Sequence, residues 1–494
     1  MPSLMQLLDS LLPLTPTTPL QLSFILVVMA SDSDSDTDSI DSKGVLCTED
    51  GDTFIKPATL KEIAFYDAIQ DTKKYPGLAD LCPTYYGSLE FTPEHIALID
   101  SVSQESYSLE ETPGAGHHEL GKTEHDDKKD PGTSDKLKKI THGIALEALT
   151  HGFKAPNTLD VKLGAVLYDD IAKTQGNWGK IAKFRKISED TTSRNWGFRF
   201  AGMHVFQGHE VQRNTKTPPV NRDGFRTYGK NWGQNLQDGD VHDAFREYLF
   251  EPKAGVDAEL GAYVAESFLS ELRKMIEVLE NIELRMYSAS ILFVYEGDGD
   301  RLRKAITEQI RLDKGGEPKV LGKDEDGDPV IWDPKIFKCK LIDFAHATIG
   351  REALAHHAQP EDVNPELGLQ SKVTWDKCVG GEKGPGKDEN ALKGIRNVAK
   401  ILEEVKDKGP LTKSQSDLLT SKVDAREDAK LKTKVDDDAE IKRVAKNMEA
   451  EYKAAYPAEY EAEKLAREEA LDQAEASKVN GTAVNGTKRR KLSI

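Results

Sequence analysis

The chain has 494 residues and a formal net charge of −18, because 85 acidic residues outnumber 67 basic ones. This balance argues against a general nucleic-acid-binding protein, which needs an excess of Lys and Arg on its binding face. The four cysteines form no Cys-x-x-Cys pair, which is typical of a reducing compartment and predicts no zinc site. The length allows two or three packed units plus tails.

Residues 1–42 are predicted to be a disordered extension. The run "SDSDSDTDSIDS" at 31–42 has almost no apolar residues. The first thirty residues are apolar, but they lack the basic start of a signal peptide, and prolines between residues 13 and 19 interrupt any helix long enough to span a bilayer. We expect an upstream start codon or a disordered extension here, and no membrane association.

Residues 43–147 are predicted to form a small strand-rich lobe. Lys56 ends the strand-like run "GDTFIKP", and Glu62 opens the amphipathic helix "TLKEIAFYDAI". Such a pair could contact ATP phosphates, with the glutamate orienting the lysine, or it could be a surface ion pair. Residues 104–137 are rich in Gly, Asp, Glu, Lys and His and are predicted to be an inserted surface loop, too flexible for its histidines to form a good metal site.

The segment "PNTLDVKLG" predicts a half-buried strand with two chemically different faces. Asp160, Lys162 and Gly164 share one face, while apolar residues occupy the other. Two interpretations are open on this evidence. The pair could form a cross-strand salt bridge at a solvent-facing edge, or it could be a catalytic pair lining a cleft.

Further along the chain, "GKIAKFRKISED" concentrates positive charge in an otherwise acidic protein. Lys180, Lys183 and Lys186 recur every third residue and would share one face of a helix. This face could be merely solvated, or it could bind a polyanionic small molecule, because clustered lysines bind phosphates as point charges.

The run "CKLIDFAHATIG" is predicted to place Asp343 at the end of a buried strand. A carboxylate in this position, followed by an aromatic residue, is how many phosphotransferases hold Mg²⁺ against nucleotide phosphates. A structural strand end is the alternative. The acidic stretch near Asp326 is not predicted to be a calcium loop, because Pro329 stands where the sharp turn needs Gly.

Residues 148–404 are predicted to form a larger α+β lobe, and residues 405–494 a charged tail. The tail has few large apolar residues, which suggests a solvent-exposed helix or disorder rather than another core. Four basic residues at 488–491 are of the nuclear-import kind. We therefore expect the protein in both nucleus and cytoplasm.

Four motifs in this order resemble the signatures of the inositol polyphosphate kinase family. "PNTLDVKLG" matches PxxxDxKxG at Pro156, Asp160, Lys162 and Gly164. "SASILFVYEGD", "IDFAHA" and "GKDENALKGIRNVAKILEE" resemble the family's Ser-containing strand, metal-binding motif and closing helix. The resemblance covers residues 45–404 and is strongest to the multikinase branch.

The resemblance implies a two-lobed, kinase-like α+β fold that uses ATP and Mg²⁺ to phosphorylate inositol polyphosphates. It implies that Asp160 orients or deprotonates the attacking hydroxyl and that Lys162 stabilises the transferring phosphoryl group. The other residues that it implies have binding roles: Lys56, Glu62, Glu147 (through the hinge), Ser290 and Asp343 for ATP, Asp343 for the metal, and Lys180, Lys183, Lys186 and His346 for the substrate.

The chain departs from the family pattern at three positions. Ala148 follows the hinge glutamate, and His204 and Gln234 stand where cationic residues are common. These changes could alter substrate preference without abolishing activity. Two alternatives are an inositol hexakisphosphate kinase that forms pyrophosphates and a scaffold for transcription-regulatory proteins with little kinase activity. We expect a monomer that makes no direct contact with nucleic acid.

Overall fold

The computed structural model describes residues 24–25, 46–48, 50–91, 142–168, 176–209, 223–323, 328–349 and 387–469. Several predicted features lie outside these ranges. They are the extension at 1–42 (apart from residues 24–25), the inserted loop at 104–137, the acidic residues at 324–327 and the basic cluster at 488–491.

The N-terminal part of the chain folds into an antiparallel sheet of order β1-β2-β3-β5-β4. Its strands are β1 (Phe24–Ile25), β2 (Leu46–Thr48), β3 (Thr53–Pro57), β4 (Tyr85–Glu90) and β5 (His142–Glu147). Helix α1 (Leu60–Ile69) follows β3, and its first turn is capped by the Thr59 side chain, which accepts a hydrogen bond from the Glu62 N–H. As the apolar spacing predicts, α1 buries Ile63, Phe65 and Tyr66.

The larger part contains a second antiparallel sheet of order β13-β10-β6-β7-β8. The remaining strands are β6 (Pro156–Leu163), β7 (Phe198–Phe206), β8 (Phe225–Tyr228), β9 (Leu284–Met286), β10 (Ser290–Glu296), β11 (Val320–Lys323), β12 (Pro329–Ile331), β13 (Phe337–Ile342) and β14 (Ala347–Ile349). Strand β9 pairs with β14, and β11 with β12, as separate two-stranded ribbons.

Helices cover the second sheet and enclose the main core. In chain order they are α2 (Trp178–Asp190), α3 (Ser193–Trp196), α4 (Lys230–Asn235), α5 (Val241–Leu249), α6 (Ala258–Leu279), α7 (Gly299–Asp313), α8 (Glu389–Val405) and α9 (Lys413–Ala455). Helix α5 packs on β7, α6 on β13, and α8 on β6 and α6. Phe245, Phe268 and Phe293 are almost fully buried between these elements. The architecture is therefore α+β with two separate sheets, as predicted.

Helix α9 differs from the solvent-exposed tail that the sequence suggests. The segment is helical, but Leu419 and Val423 join the main core, with exposed fractions of 4% and 0%. Helix α9 packs on α2, α4 and α5. A few well-placed apolar residues are enough to dock one stripe of a long charged helix, which explains why composition alone misjudged it. Within the described ranges, no helix has the length and apolar character needed to cross a membrane.

Candidate active site

The polar face of β6 forms the centre of the candidate site. Its side chains alternate in burial along the whole strand, so Asp160 and Lys162 share the accessible face as predicted. Ser290 on β10 and Arg199 on β7 lie directly opposite Lys162 in the two neighbouring strands. Because opposed residues in antiparallel strands point to the same face, four polar side chains converge here.

Asp343 follows β13 and turns its carboxylate toward this face. Its φ of 66° lies in the left-handed region, which Asp tolerates better than most residues. Lys162 Nζ donates to Asp343 Oδ2 at 2.6 Å and to Ser290 Oγ at 3.0 Å. These hydrogen bonds join residues of β6 and β10 with the residue that follows β13.

The first sheet contributes a second lysine to the same carboxylate. Lys56 Nζ lies 3.5 Å from Asp343 Oδ1 and 2.9 Å from Glu62 Oε1. Glu62 is buried, with only 2% of its side chain exposed, so its carboxylate anchors the Lys56 ammonium group to the N-terminal part of the fold. The lysine–glutamate pair predicted from the sequence is therefore present, and it faces Asp343 across the two parts of the fold.

An aromatic contact reinforces this junction. Phe344 is fully buried and stacks on Phe65 of α1, with ring centroids 4.2 Å apart and an interplanar angle of 17°. Tyr66 meets the Phe344 ring edge-on at 5.5 Å. The residue after Asp343 thus anchors the turn on α1, which limits how far the carboxylate can move relative to Lys56.

The two carboxyl groups of the site have opposite pKa shifts. Burial alone would raise the pKa of Asp343, but the ammonium groups of Lys162 and Lys56 outweigh it and hold that pKa well below its usual range. Burial raises the pKa of Asp160, and the nearby Asp343 charge adds to this, against the lowering effect of Lys162 and Arg199. Asp343 is therefore the more acidic of the two carboxyl groups, and Asp160 is the more basic one.

Arg199 is a site residue that the sequence reasoning missed. It is 7% exposed, it hydrogen-bonds Ser193 Oγ through Nη1 at 3.3 Å, and its charge lowers the pKa of Asp160. Burial lowers the pKa of Arg199 itself to about 10. Among the residues that the structure describes, buried Asp160 Oδ1 has no hydrogen-bond partner. In the sequence, Arg199 is distinguished by being a charged residue inside the apolar run "GFRFAGMHVF".

Glu147 lies at the end of β5, where the chain passes from the first sheet to β6. Its Oε2 accepts hydrogen bonds from Thr84 N at 3.2 Å and Thr84 Oγ1 at 3.1 Å, and its Oε1 pairs with Lys338 of β13. Burial would raise the pKa of Glu147, but these partners lower it. The carboxylate therefore joins the two sheets at the point where the chain passes from one to the other.

The three predicted substrate lysines lie on α2, beside this network rather than within it. Ser188 Oγ donates to Ala165 O at 2.6 Å, so the last turns of α2 abut the segment that follows β6. Lys186 Nζ pairs with Asp190 Oδ2 at 3.0 Å and with Asp437 Oδ1 of α9 at 3.2 Å. Burial would lower the pKa of Lys186, but these acids raise it.

Two other predicted features have clear positions. His346 is half-buried in the turn between Asp343 and β14. Gly164 ends the strand motif with φ +99°, and a Cβ there would come within 2.6 Å of Asn390 Nδ2. Asn390 Oδ1 accepts hydrogen bonds from Ala165 N and Val166 N, so the glycine lets α8 fix the end of β6.

The donor set can be compared with what a divalent cation needs. No cluster of three or more His, Cys, Asp or Glu side chains is present within the described ranges. Magnesium commonly binds one or two protein carboxylates and completes its shell with phosphates and water. Asp343, a carboxylate whose pKa is held low by two lysines, fits that role. The residues present fit a metal that arrives with a nucleotide rather than a metal held in a protein cage.

The two-sheet fold and this convergence of lysines and carboxylates define a phosphotransferase of the kinase type. Comparison with known proteins agrees. Residues 143–403 match the inositol polyphosphate kinase family. The chain is 32% identical over 270 residues to inositol polyphosphate multikinase of Saccharomyces cerevisiae, covering 52% of this chain and 71% of that protein. This chain belongs to the inositol polyphosphate kinase family and is an enzyme.

Two further matches belong to related kinases. The chain is 28% identical over 289 residues to human inositol hexakisphosphate kinase 1, covering 55% of this chain and 54% of that protein. A crystal structure of the inositol phosphate multikinase of Saccharomyces cerevisiae with ADP and Mn²⁺ is 25% identical and covers 72% of this chain and 99% of that one, with a TM-score of 0.44.

Proposed function

We propose that this kinase transfers the terminal phosphoryl group of ATP to hydroxyl groups of inositol trisphosphate, giving tetrakis- and pentakisphosphates. The observation that carries the proposal is the convergence of Lys56 and Lys162, from the two sheets, on Asp343. Two cations and one ionised carboxylate at the junction of the sheets suit a polyphosphate and its metal ion. The match to the yeast multikinase supports the choice of substrate.

Asp160 is the proposed acceptor of the proton from the attacking hydroxyl. Its raised pKa makes it a better base than an exposed carboxylate, and its buried Oδ1 has an unused acceptor site among the described residues. Arg199 lies on the same face, and its positive charge favours the ionised form of Asp160. The incoming hydroxyl would therefore bind at a preformed acceptor.

Lys162 and Lys56 are the proposed phosphate ligands. In the nucleotide complex, each would exchange part of its contact with Asp343 for a phosphate oxygen and stabilise the charge that spreads over the transferring group. Ser290 orients Lys162 through the 3.0 Å hydrogen bond, and Glu62 orients Lys56. When bound, Mg²⁺ would neutralise phosphate charge, and Asp343 is the residue that would hold it.

Lys180, Lys183 and Lys186, with His346, are the proposed contacts for the inositol phosphates. Helix α2 adjoins the segment that follows β6 through Ser188 and Ala165, which supports this assignment. Clustered ammonium groups bind phosphates as point charges and tolerate several phosphate positions. That tolerance suits an enzyme acting successively on differently phosphorylated rings.

The experiment is incubation of the purified full chain with inositol 1,4,5-trisphosphate and Mg·ATP, with products separated by anion exchange. Sequential appearance of tetrakis- and pentakisphosphate is the expected result. Turnover of the hexakisphosphate in place of the trisphosphate would favour the pyrophosphate-forming alternative, which the 28% identity to a hexakisphosphate kinase keeps open. No turnover of either would favour a scaffold role.

A further inference from the structure

The C-terminal helix lies across the proposed substrate helix. Trp178 and Ile181 of α2 form a separate apolar cluster with Ala445, Met448 and Tyr452 of α9. The Trp178 and Tyr452 ring centroids are 5.2 Å apart. Helix α9 begins beyond residue 403, where the family match ends, so this contact is made by a segment outside the matched region.

Tertiary contacts hold α9 at a defined position over the second sheet. Arg426 donates to Asn235 O at 3.0 Å and pairs with Asp240, and Lys430 Nζ donates to Gln234 O at 3.0 Å. With Leu419 and Val423 in the core, these contacts fix the first half of the helix. The location of each acidic residue further along α9 is therefore set by the fold.

One of these acidic residues reaches a proposed substrate lysine. Asp437 Oδ1 lies 3.2 Å from Lys186 Nζ, whose other acidic partner is Asp190 of its own helix at 3.0 Å. The Lys186 and Asp437 side chains are 25% and 33% exposed, so solutes can approach the pair. Partly exposed ion pairs contribute little free energy, about 0.2–1 kcal/mol, and a competing anion can displace them.

We propose that Asp437 determines the affinity for inositol polyphosphate by occupying Lys186 until a substrate phosphate displaces it. The proposal rests on the proposed function, because it assigns Lys186 to the substrate. A phosphate monoester carries a charge of about −1.5 to −2 at neutral pH and therefore competes well with one carboxylate. Asp437 opposes binding through its pair with Lys186, which a substrate phosphate has to break before it can use that lysine. Helix α9 thus weakens substrate binding without contacting the reacting atoms.

Replacing Asp437 by Asn tests this directly, because the amide keeps the shape and removes the charge. We expect Asp437→Asn to lower the KM for inositol trisphosphate about two- to fivefold, in line with a partly exposed pair, and to leave kcat and the KM for ATP unchanged. The matched control is Asp438→Asn, which removes the same charge from an exposed neighbouring position and should change nothing. The conservative variant Asp437→Glu should keep the wild-type KM.

A double-mutant cycle separates this role from a purely structural one. In a Lys186→Gln background, Asp437→Asn should no longer lower the KM, because the lysine through which it acts is absent. An unchanged or raised KM in Asp437→Asn would overturn the proposal. The same decrease in Asp438→Asn, or a decrease that persists without Lys186, would also overturn it, because either result indicates a general charge effect.

The proposed function and this inference can fail separately. Absence of turnover by the wild-type chain would contradict the proposed function. Calorimetric titration with inositol hexakisphosphate in the absence of ATP would then test the inference by measuring the Kd. Asp437→Asn should still have a lower Kd than Asp438→Asn. Equal Kd values for the two variants would overturn the inference, whatever reaction the enzyme catalyses.

Discussion

The Nζ atom of Lys162 lies 2.6 Å from Oδ2 of Asp343, although the two residues are 181 positions apart in the chain. Lys56 holds the other oxygen of the same carboxylate from the first sheet. This arrangement keeps Asp343 ionised and places it where phosphates and a metal ion would meet both lysines. The proposed chemistry depends on this contact.

Asp343→Asn should abolish phosphoryl transfer while the protein still folds. Asn also tolerates a positive φ, so the backbone conformation at 66° can be kept while the anionic ligand is lost. We expect kcat to fall by about 10³-fold or more, the scale for loss of a preorganised electrostatic contact. Turnover assays with inositol trisphosphate, together with circular dichroism, measure both effects. Retained turnover would remove Asp343 from the metal site.

Asp160→Asn should make the enzyme more stable and less active. The pKa of Asp160 is raised in the fold, so its carboxylate favours folding at low pH and costs stability as the pH rises through the folded pKa. Asn removes that cost. The stability advantage of the variant in urea unfolding should therefore grow with pH above about 3.9, the ordinary carboxyl value, and then level off.

The same variant should lose catalysis, by about 10²–10⁴-fold in kcat, because an amide accepts no proton. The acid limb of the wild-type pH–rate profile should lie above the ordinary carboxyl range, since the pKa of Asp160 is raised. A variant that is destabilised at neutral pH would indicate that attraction from Lys162 and Arg199 outweighs the burial of Asp160.

Glu62→Gln should impair nucleotide binding selectively. It removes the buried carboxylate 2.9 Å from Lys56 Nζ, so the lysine loses the partner that orients it. Loss of one charge-assisted contact predicts a rise in the KM for ATP of about tenfold or more, with a smaller change in the KM for the inositol phosphate. Equal rises in both constants would count against a role specific to ATP.

Neutralising Lys180, Lys183 and Lys186 together should have the opposite selectivity. Replacement by Gln removes three positive charges from α2, so the KM for inositol trisphosphate should rise much more than the KM for ATP. Arg185→Gln is the matched control, because Arg185 is an exposed cation on the same helix. Comparable effects of the triple variant on both substrates would contradict the assignment of α2.

Gly164→Ala should destabilise the fold around β6. The residue has φ +99°, and its new Cβ would meet Asn390 Nδ2 at 2.6 Å, so strain and a steric clash act together. A loss of about 1–3 kcal/mol in the free energy of unfolding is expected. Gly239→Ala, where a Cβ meets nothing within 4 Å, is the control and should be nearly neutral. Equal stability of the two variants would contradict the proposed constraint.

Much of the candidate active site was predictable from local sequence pattern. Alternation along β6 places Asp160 and Lys162 on one face without any tertiary information, because side chains in a strand change face at every residue. The strand-to-helix step likewise brings Lys56 and Glu62 together, and the end of β13 presents Asp343. The motif order was sufficient to suggest the family.

Other features depend on long-range packing that no local pattern contains. Arg199 becomes a neighbour of Asp160 only because β7 pairs with β6, and Glu147 meets Lys338 only across the two sheets. The predicted role of Glu147 in adenine binding stays a prediction, and its carboxylate has a structural partner that local pattern did not indicate.

The sequence by itself determined the fold class, the polar face of β6 and the residue types of the candidate active site, because these follow from periodicity and short-range spacing. Only the tertiary structure decided that Asp343 lies between two lysines, that Arg199 accompanies Asp160 and that α9 covers α2. The physical reason is that burial and ion pairing depend on which distant segments pack together. The composition of a charged helix such as α9 does not indicate that the helix packs on the core. Its packing depends on a small number of apolar residues, such as Leu419 and Val423, which stabilise the contact once they are buried.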